Sequence, residues 1–408
     1  MDIRIEPKRL SGTVTPPPSK SMAHRLLIAA ALGGDTSTIR NVSFSKDIEA
    51  TLRCMEALGA EWFRQSSGTI CVSGIGTHSH AVGALPHFDC GESGSTLRFL
   101  IPIALAVAGG GVFTGRGRLM ERPQKPYFDL FDEKGISWNQ EDGVLTVQGR
   151  LTPGEYRLPG NVSSQFFTGL LFALSLLEEP STVVSTTALE SADYINMTID
   201  AMQAAGVPVD AQWGQNQFFL SPAPYRSFDS TVEADWSQAG FWYAANFLDN
   251  QLLLQGLNPN STQGDMAVSD LYWKLARPGE TEIDISGWPD LLPPLAVMAA
   301  VRSGMTRFVN AARLRIKESD RLATVAAMLN ALGCDVEELP DALSVHGGTP
   351  LTGGTVDGAN DHRIVMAAAI AATASSAPVT ILGAEAVSKS YPSFWEEYRR
   401  LGGDFHVL

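Results

Sequence analysis

Along the chain, runs that are apolar at nearly every position alternate with stretches whose apolar residues recur at helical spacing. The first kind appears six times: SKSMAHRLLIAAALGGDTSTIRNV, GESGSTLRFLIPIALAVAGGGVFTG, SSQFFTGLLFALSLLEEPSTVVST, ADWSQAGFWYAANFLDNQLLLQGL, PDLLPPLAVMAAVRSGMTRFVNA and NDHRIVMAAAIAATASSAPVTILG. Each opens on a small polar cluster, predicts a helix without a polar face, and passes through a small-residue break into a strand. A helix apolar all round is a core helix, packed on several sides. Between the copies lie amphipathic helices such as KDIEATLRCMEALGAEW, ADYINMTIDAMQAAGVPV, ESDRLATVAAMLNALGCDV and PSFWEEYRRLGGDFHV, several ending in Gly as a C-cap signal. TICVSG, VLTVQG and ALSVHG alternate as half-exposed strands do.

Anchored on Ser21, Ser95, Ser164, Ser237, Asp290 and Asp361, the copies recur at intervals of 74, 69, 73, 53 and 71 residues. A repeat this long implies a fold built from one supersecondary unit. Six units in 408 residues imply two domains of three units each. The short interval leaves no room for a full unit between LYWKLARPG and ISGWPD, so the fourth copy is expected to lack most of a hairpin.

Composition narrows the function. A net charge of −14 argues against nucleic acid as a partner, because that needs a broad basic face. It leaves room for a small anion held by a few cations in a cleft. Four cysteines without a CxxC pair form no disulfide framework and suit a reduced, cytoplasmic setting. The N-terminus MDIRIEPKRLSG has no apolar signal region. The longest apolar stretches, 99–113 and 364–382, read as buried helix plus strand and not as membrane spans. The glycine triplets at 109–111 and 115–117 lack dinucleotide-loop spacing, and His78–His80 lacks a third metal ligand nearby in sequence.

The chemistry concentrates at the helix starts, where unpaired N–H groups and a partial positive charge favour anions. Ser19, Lys20, Ser21 and Arg25 stand at the first. Gly91, Ser93, Gly94, Ser95 and Thr96 lead to Arg98 at the second, Ser163, Ser164 and Gln165 open the third, and Asn360, Asp361, His362 and Arg363 the last. Arg118 and Arg122 follow a strand in RLMERP. Lys317 and Arg321 are four apart, as on one helical face, with Glu318 three from Arg321; Lys389 is placed in a loop. Simple alternatives remain for single residues: a Ser N-cap with a solvated Lys20, a structural Glu318–Arg321 pair, an N-cap role for Asp290. Eight cations in polar motifs, Lys20, Arg25, Arg98, Arg122, Lys317, Arg321, Arg363 and Lys389, exceed what solubility asks of an acidic protein.

In order, the motifs SKSxxxR, GxSGSTxR, ERP, SSQ, SxxY (Ser191, Tyr194), PD (Asp290), KESDR, NDHR and a late lysine resemble the 5-enolpyruvylshikimate-3-phosphate synthase family over nearly the whole chain. The resemblance implies an α/β (α+β) fold: a two-domain inside-out α/β barrel of the enolpyruvyl transferase type, with six βαβαββ-like units. It implies crossings near Pro16–Lys20 and Glu233–Ser237, hence domains 20–232 and 1–19 plus 233–408, with the active site in the cleft between them. It implies transfer of the carboxyvinyl group of phosphoenolpyruvate to the 5-hydroxyl of shikimate 3-phosphate, in chorismate and aromatic amino-acid biosynthesis. No metal or organic cofactor is called for, and a monomer is expected.

By the same resemblance, shikimate 3-phosphate is held by Lys20, Ser21, Arg25, Ser163, Ser164, Gln165, Ser191, Tyr194, Asp290 and Lys317. Phosphoenolpyruvate is held by Lys20, Gly94, Arg122, Arg321, Arg363 and Lys389. Glu318 is the expected proton donor and Asp290 the base, with Lys20 competing for a proton-transfer role. Two positions depart from the pattern. Glu92 replaces an Asn of many relatives, and its side chain is expected to point away from Gly94; Arg313 replaces an Asn that contacts shikimate in some. Gly94 followed by Ser95 resembles the glyphosate-sensitive type. The nearest other reading is a UDP-N-acetylglucosamine 1-carboxyvinyltransferase, which would carry Lys-Asn where Lys20-Ser21 stands.

Overall fold

The structure is a computed structural model and describes residues 1–76 and 84–408, so His78–His80 lies outside the described residues. The chain divides into two compact units, Pro18–Glu233 and Met1–Pro17 with Ala234–Leu408. Among the described residues each carries three core helices and three sheets.

In Pro18–Glu233 the core helices are Lys20–Ala31, Gly94–Ala108 and Ser164–Leu174. Their N-caps are Ser19, Ser93 and Ser163, whose side chains accept the N–H groups of Met22, Thr96 and Gln165. Amphipathic helices Lys46–Ala57, Lys125–Lys134 and Asp193–Ala204 complete the helical set. Each sheet repeats one pattern. Glu155–Leu158 runs parallel to Ser181–Ser185, which pairs antiparallel with Gln217–Leu220 and then Val209–Gln212. The last strand, Asp229–Thr231, returns to pair with Thr36–Arg40 of the first sheet, which closes the unit.

One crossing in this unit shows how local chemistry sets the packing. Pro102 inside Gly94–Ala108 cannot donate to the Arg98 carbonyl four residues back. The Tyr127 hydroxyl takes that place, donating to Arg98 O at 2.7 Å and lying 3.0 Å from Phe166 O on the neighbouring helix. A Cβ at Gly169 would lie 2.4 Å from the Tyr127 hydroxyl and 2.5 Å from Arg98 O, so only glycine permits this approach.

In the other unit the core helices are Trp236–Phe247, Leu292–Val301 and His362–Ala372. Two sheets are complete. In the second, Ile3–Glu6 inserts between Val379–Leu382 and Asp404–Val407, so the chain's start finishes the sixth copy. The fourth copy has two strands only: Gln251–Leu254 runs parallel to Ser11–Val14. Helix Val268–Leu275 leads to Thr281–Asp284 with no hairpin between. The missing strand is partly replaced by a side chain. Asn246 donates to Leu252 O at 2.8 Å and accepts from Leu252 N at 2.9 Å, covering the edge groups a third strand would pair.

Both long apolar stretches resolve into helix plus strand, as the pattern implied: Gly94–Ala108 with Gly110–Thr114, and His362–Ala372 with Val379–Leu382. No helix among the described residues is long and apolar enough to cross a membrane.

Candidate active site

In Pro18–Glu233, Arg25 is 2% exposed. Its guanidinium donates to Thr198 Oγ1 (2.9 Å), Ser21 O (2.7 Å), Tyr194 O (2.9 Å) and Thr168 Oγ1 (3.3 Å), and lies 5.1 Å from the Phe99 ring centre. All these partners are neutral, and no carboxylate among the described residues pairs with it. Burial, opposed by Tyr194, brings its pKa down to about 10, so it is charged at neutral pH. A buried cation without a counter-ion, beside a helix N-terminus, is suited to an anion. Ser191 and Tyr194 belong to the same corner: Ser191 has φ 53° and its carbonyl accepts from Tyr194 N at 3.2 Å.

Lys20 Nζ lies 2.7 Å from Asp47 Oδ2, an ion pair largely removed from solvent. Arg98 donates to Gln165 Oε1 at 2.8 Å, and Gln165 Nε2 donates to Ser95 Oγ at 3.0 Å, which ties the second helix start to the third. Ser163 caps that third helix and Ser164 begins it. Arg122 lies directly over Gly94: a Cβ there would fall 2.4 Å from Nη1 and 2.9 Å from Cζ. The Arg122 side chain is buried, its Nε has no partner, and it makes no hydrogen bond or ion pair among the described residues. Cation and helix N-terminus together form a seat for a carboxylate or phosphate. The Glu92 carboxylate lies against Gly117, 2.6 Å from where a Cβ would be.

In the other unit, Asp290 is the hub. Arg321 Nη1 reaches its Oδ1 at 2.7 Å, Lys317 Nζ lies 3.6 Å from the same oxygen, and Arg363 Nη2 donates to Oδ2 at 3.0 Å. Arg321 is 1% exposed and also binds Glu318 Oε2 at 2.7 Å and Asp361 Oδ2 at 2.8 Å. Burial works against its charge, but Asp361, Glu318 and Asp290 outweigh that and hold its pKa above the ordinary value. Burial pulls the Lys317 ammonium down to about 8; Asp290 opposes this, while Arg321 and Arg313 add to it. Lys389 is buried and donates to Asn360 O at 2.6 Å, and Gln238 Nε2 donates to Ser390 Oγ at 3.1 Å beside it.

The expected residues thus gather in two groups. Lys20, Ser21, Arg25, Gly94, Arg122, Ser163, Ser164, Gln165, Ser191 and Tyr194 belong to Pro18–Glu233. Asp290, Lys317, Glu318, Arg321, Arg363 and Lys389 belong to the other unit. Three local readings change. Lys317 and Arg321 do not share a helical face: Asp320 caps Arg321–Ala331, so Lys317 precedes the helix in extended backbone, and Asp290 brings the two cations together. Asp290 does not cap a helix: it sits in the short turn Pro289–Leu291, and Leu292–Val301 has no side-chain cap. Lys389 ends a 3₁₀ turn, Ala384–Lys389, and is not in an open loop. The Arg313 guanidinium donates to the Ser286 carbonyl.

Sequence reasoning missed the partners that hold the cations: Asp47, Thr168, Thr198 and, as an acid, Asp361. Asp47 and Thr168 each sit near a helix start, the one available signal; Thr198 lies mid-helix and carried none.

Solved structures place the fold. An EPSP synthase from Acinetobacter baumannii superposes with a TM-score of 0.80 at 24% identity over 100% of both chains. The enolpyruvyl transferase NikO from Streptomyces tendae gives 0.78 at 18% identity, covering 99% of this chain and 98% of its own. The fold is therefore the one these two proteins share. Sequence narrows it. Residues 5–398 match the family model of EPSP synthase (3-phosphoshikimate 1-carboxyvinyltransferase). The 3-phosphoshikimate 1-carboxyvinyltransferase of Clostridium acetobutylicum is 43% identical over 420 residues, covering 99% of this chain and 98% of the relative. That of Clostridium kluyveri is 42% identical, covering 98% and 97%. The chain belongs to the EPSP synthase family.

Proposed function

We propose that the chain transfers the carboxyvinyl group of phosphoenolpyruvate to the 5-hydroxyl of shikimate 3-phosphate and releases phosphate. The observation that carries this reading, given the family, is the Arg122 guanidinium seated on Gly94 with no hydrogen-bonding partner among the described residues. That is an anion seat left open at a helix N-terminus.

In this reading phosphoenolpyruvate binds Lys20, Gly94 N–H, Arg122, Arg321, Arg363 and Lys389. Shikimate 3-phosphate binds Lys20, Ser21, Arg25, Ser163, Ser164, Gln165, Ser191, Tyr194, Asp290 and Lys317. Asp290 takes the proton of the 5-hydroxyl as its oxygen attacks the enol carbon, and Glu318 protonates the methylene carbon. The clustered cations stabilise the charge of the tetrahedral adduct. Loss of the methyl proton and cleavage of the carbon–oxygen bond to phosphate then restore the vinyl group. Arg321 already pairs with Glu318, so in this reading the acid stands beside the phosphoenolpyruvate site. Two small, water-soluble anionic substrates suit a cytoplasmic monomer.

Phosphate release tests the reaction, with shikimate 3-phosphate in one vessel and UDP-N-acetylglucosamine in another. Release with the shikimate ester alone is expected; release with the nucleotide sugar alone overturns the assignment.

A further inference from the structure

Four side chains inside the Pro18–Glu233 core form a hydrogen-bonded line that substrate binding does not use. His24 Nδ1 lies 2.7 Å from Thr51 Oγ1, Thr51 Oγ1 lies 2.7 Å from Thr96 Oγ1, and Thr96 donates to Ser93 Oγ at 2.7 Å. None of the four is more than 1% exposed. The Phe99 ring lies edge-on to His24, with 6.5 Å between ring centres.

The direction of the bonds follows from the last one. With the Thr96 hydroxyl committed to Ser93, Thr51 donates to Thr96, and His24 donates to Thr51 through Nδ1–H. The imidazole is neutral: burial, reinforced by Lys20 and Arg25, holds its pKa well below the ordinary value. Nε2 then carries a lone pair only, and it has no partner among the described residues.

Stability alone does not call for such a line. Replacing both partners of a buried hydrogen bond by apolar groups of the same shape is close to neutral. What a polar chain bonded at every link adds is a single arrangement of the elements it joins. Here it joins three helix starts. His24 stands one turn after Lys20, and Thr51 one turn after Asp47, the partner of Lys20. Ser93 caps the helix that begins at Gly94, under Arg122.

We propose that His24, Thr51, Thr96 and Ser93 are positioning residues that set Lys20 in register with the Gly94–Arg122 seat, and that Thr51, bonded on both sides, is the central member. The proposal rests on the assignment of that seat to phosphoenolpyruvate.

The test is steady-state kinetics of Thr51→Val, Thr51→Ser and Gly94→Ala with both substrates, alongside thermal unfolding. Thr51→Val is expected to raise KM for phosphoenolpyruvate about tenfold. KM for shikimate 3-phosphate, which shares Lys20 but not the Gly94–Arg122 seat, should rise less, and the unfolding midpoint should fall by a few degrees because His24 Nδ1–H and the Thr96 hydroxyl lose a buried partner. Thr51→Ser, which keeps the hydroxyl, should restore the parent KM. Thr96→Val serves as the second break in the line should Thr51→Val fold poorly. Parent-like KM values in Thr51→Val, or a Thr51→Ser as impaired as Thr51→Val, overturn the proposal. So does an equal rise of both KM values. A Gly94→Ala variant with unchanged KM for phosphoenolpyruvate removes the seat assignment, and the proposal with it.

Discussion

Replacing Gly94 by Ala perturbs one contact with a size the structure defines. The new Cβ would lie 2.4 Å from Arg122 Nη1, 2.9 Å from Cζ and 3.0 Å from Nη2. Moving Nη1 out to an ordinary contact of about 3.4 Å requires a shift of roughly 1 Å. A charge-assisted hydrogen bond lengthened by that much is essentially lost. Such bonds contribute about 1.5–3 kcal/mol, so phosphoenolpyruvate should bind about 10- to 100-fold more weakly. The fold should not suffer. Gly94 is the first residue of a helix, and Ala is the better helix former by up to about 1 kcal/mol in a helix interior. The assay is KM for phosphoenolpyruvate at saturating shikimate 3-phosphate, with the unfolding midpoint recorded on the same sample. A KM within twofold of the parent, with an unchanged midpoint, would show that Arg122 does not engage phosphoenolpyruvate through this seat. Glyphosate, also an anion, is expected to inhibit the parent enzyme, and activity unaffected at millimolar concentration would contradict that.

The other predictions concern the second unit. Asp290→Asn and Glu318→Gln should each lower kcat by about 10²- to 10⁴-fold, the range of general acid–base catalysis, with smaller changes in KM; parent-like turnover would remove that residue's proton-transfer role. Lys317, brought down to about 8, should lose its charge in the free enzyme as pH rises through that value. kcat/KM for shikimate 3-phosphate should therefore fall on an alkaline limb near pH 8 that Lys317→Arg displaces upward. For stability the sign is opposite: between about 8 and the ordinary lysine value the unfolded chain binds more protons at this group. Its unfavourable contribution is thus full below about 8 and fades as pH rises toward the unfolded value. Asn246→Leu should cost about 1–3 kcal/mol in urea unfolding, because both Leu252 edge groups lose their partner, and should leave kcat unchanged. A kcat that falls with it would tie the shortened fourth copy to catalysis.

Much of this protein is written in local patterns. Apolar runs without a polar face can only be core helices, so the six copies, the helix-plus-strand reading of 99–113 and 364–382, and the short fourth copy could be stated before any coordinates. Ser19, Ser93 and Ser163 act within two or three residues of themselves, and capping is likewise a local property. The ordered motifs identified the family because their residue types and order survive without geometry. The tertiary structure decided what each charge faces. Nothing in the spacing of Asp290, Lys317, Arg321 and Arg363 places three cations on one carboxylate, and helical spacing pointed to the wrong arrangement for Lys317 and Arg321. Asp47 against Lys20, Thr198 against Arg25 and Arg122 over Gly94 are contacts between segments 27 or more residues apart. Such contacts depend on how helices pack, and packing is set by the sum of many side chains, not by any short stretch. The line from His24 to Ser93 belongs to the same class: each hydroxyl reads as an ordinary helix residue until three helices bring them within hydrogen-bond reach.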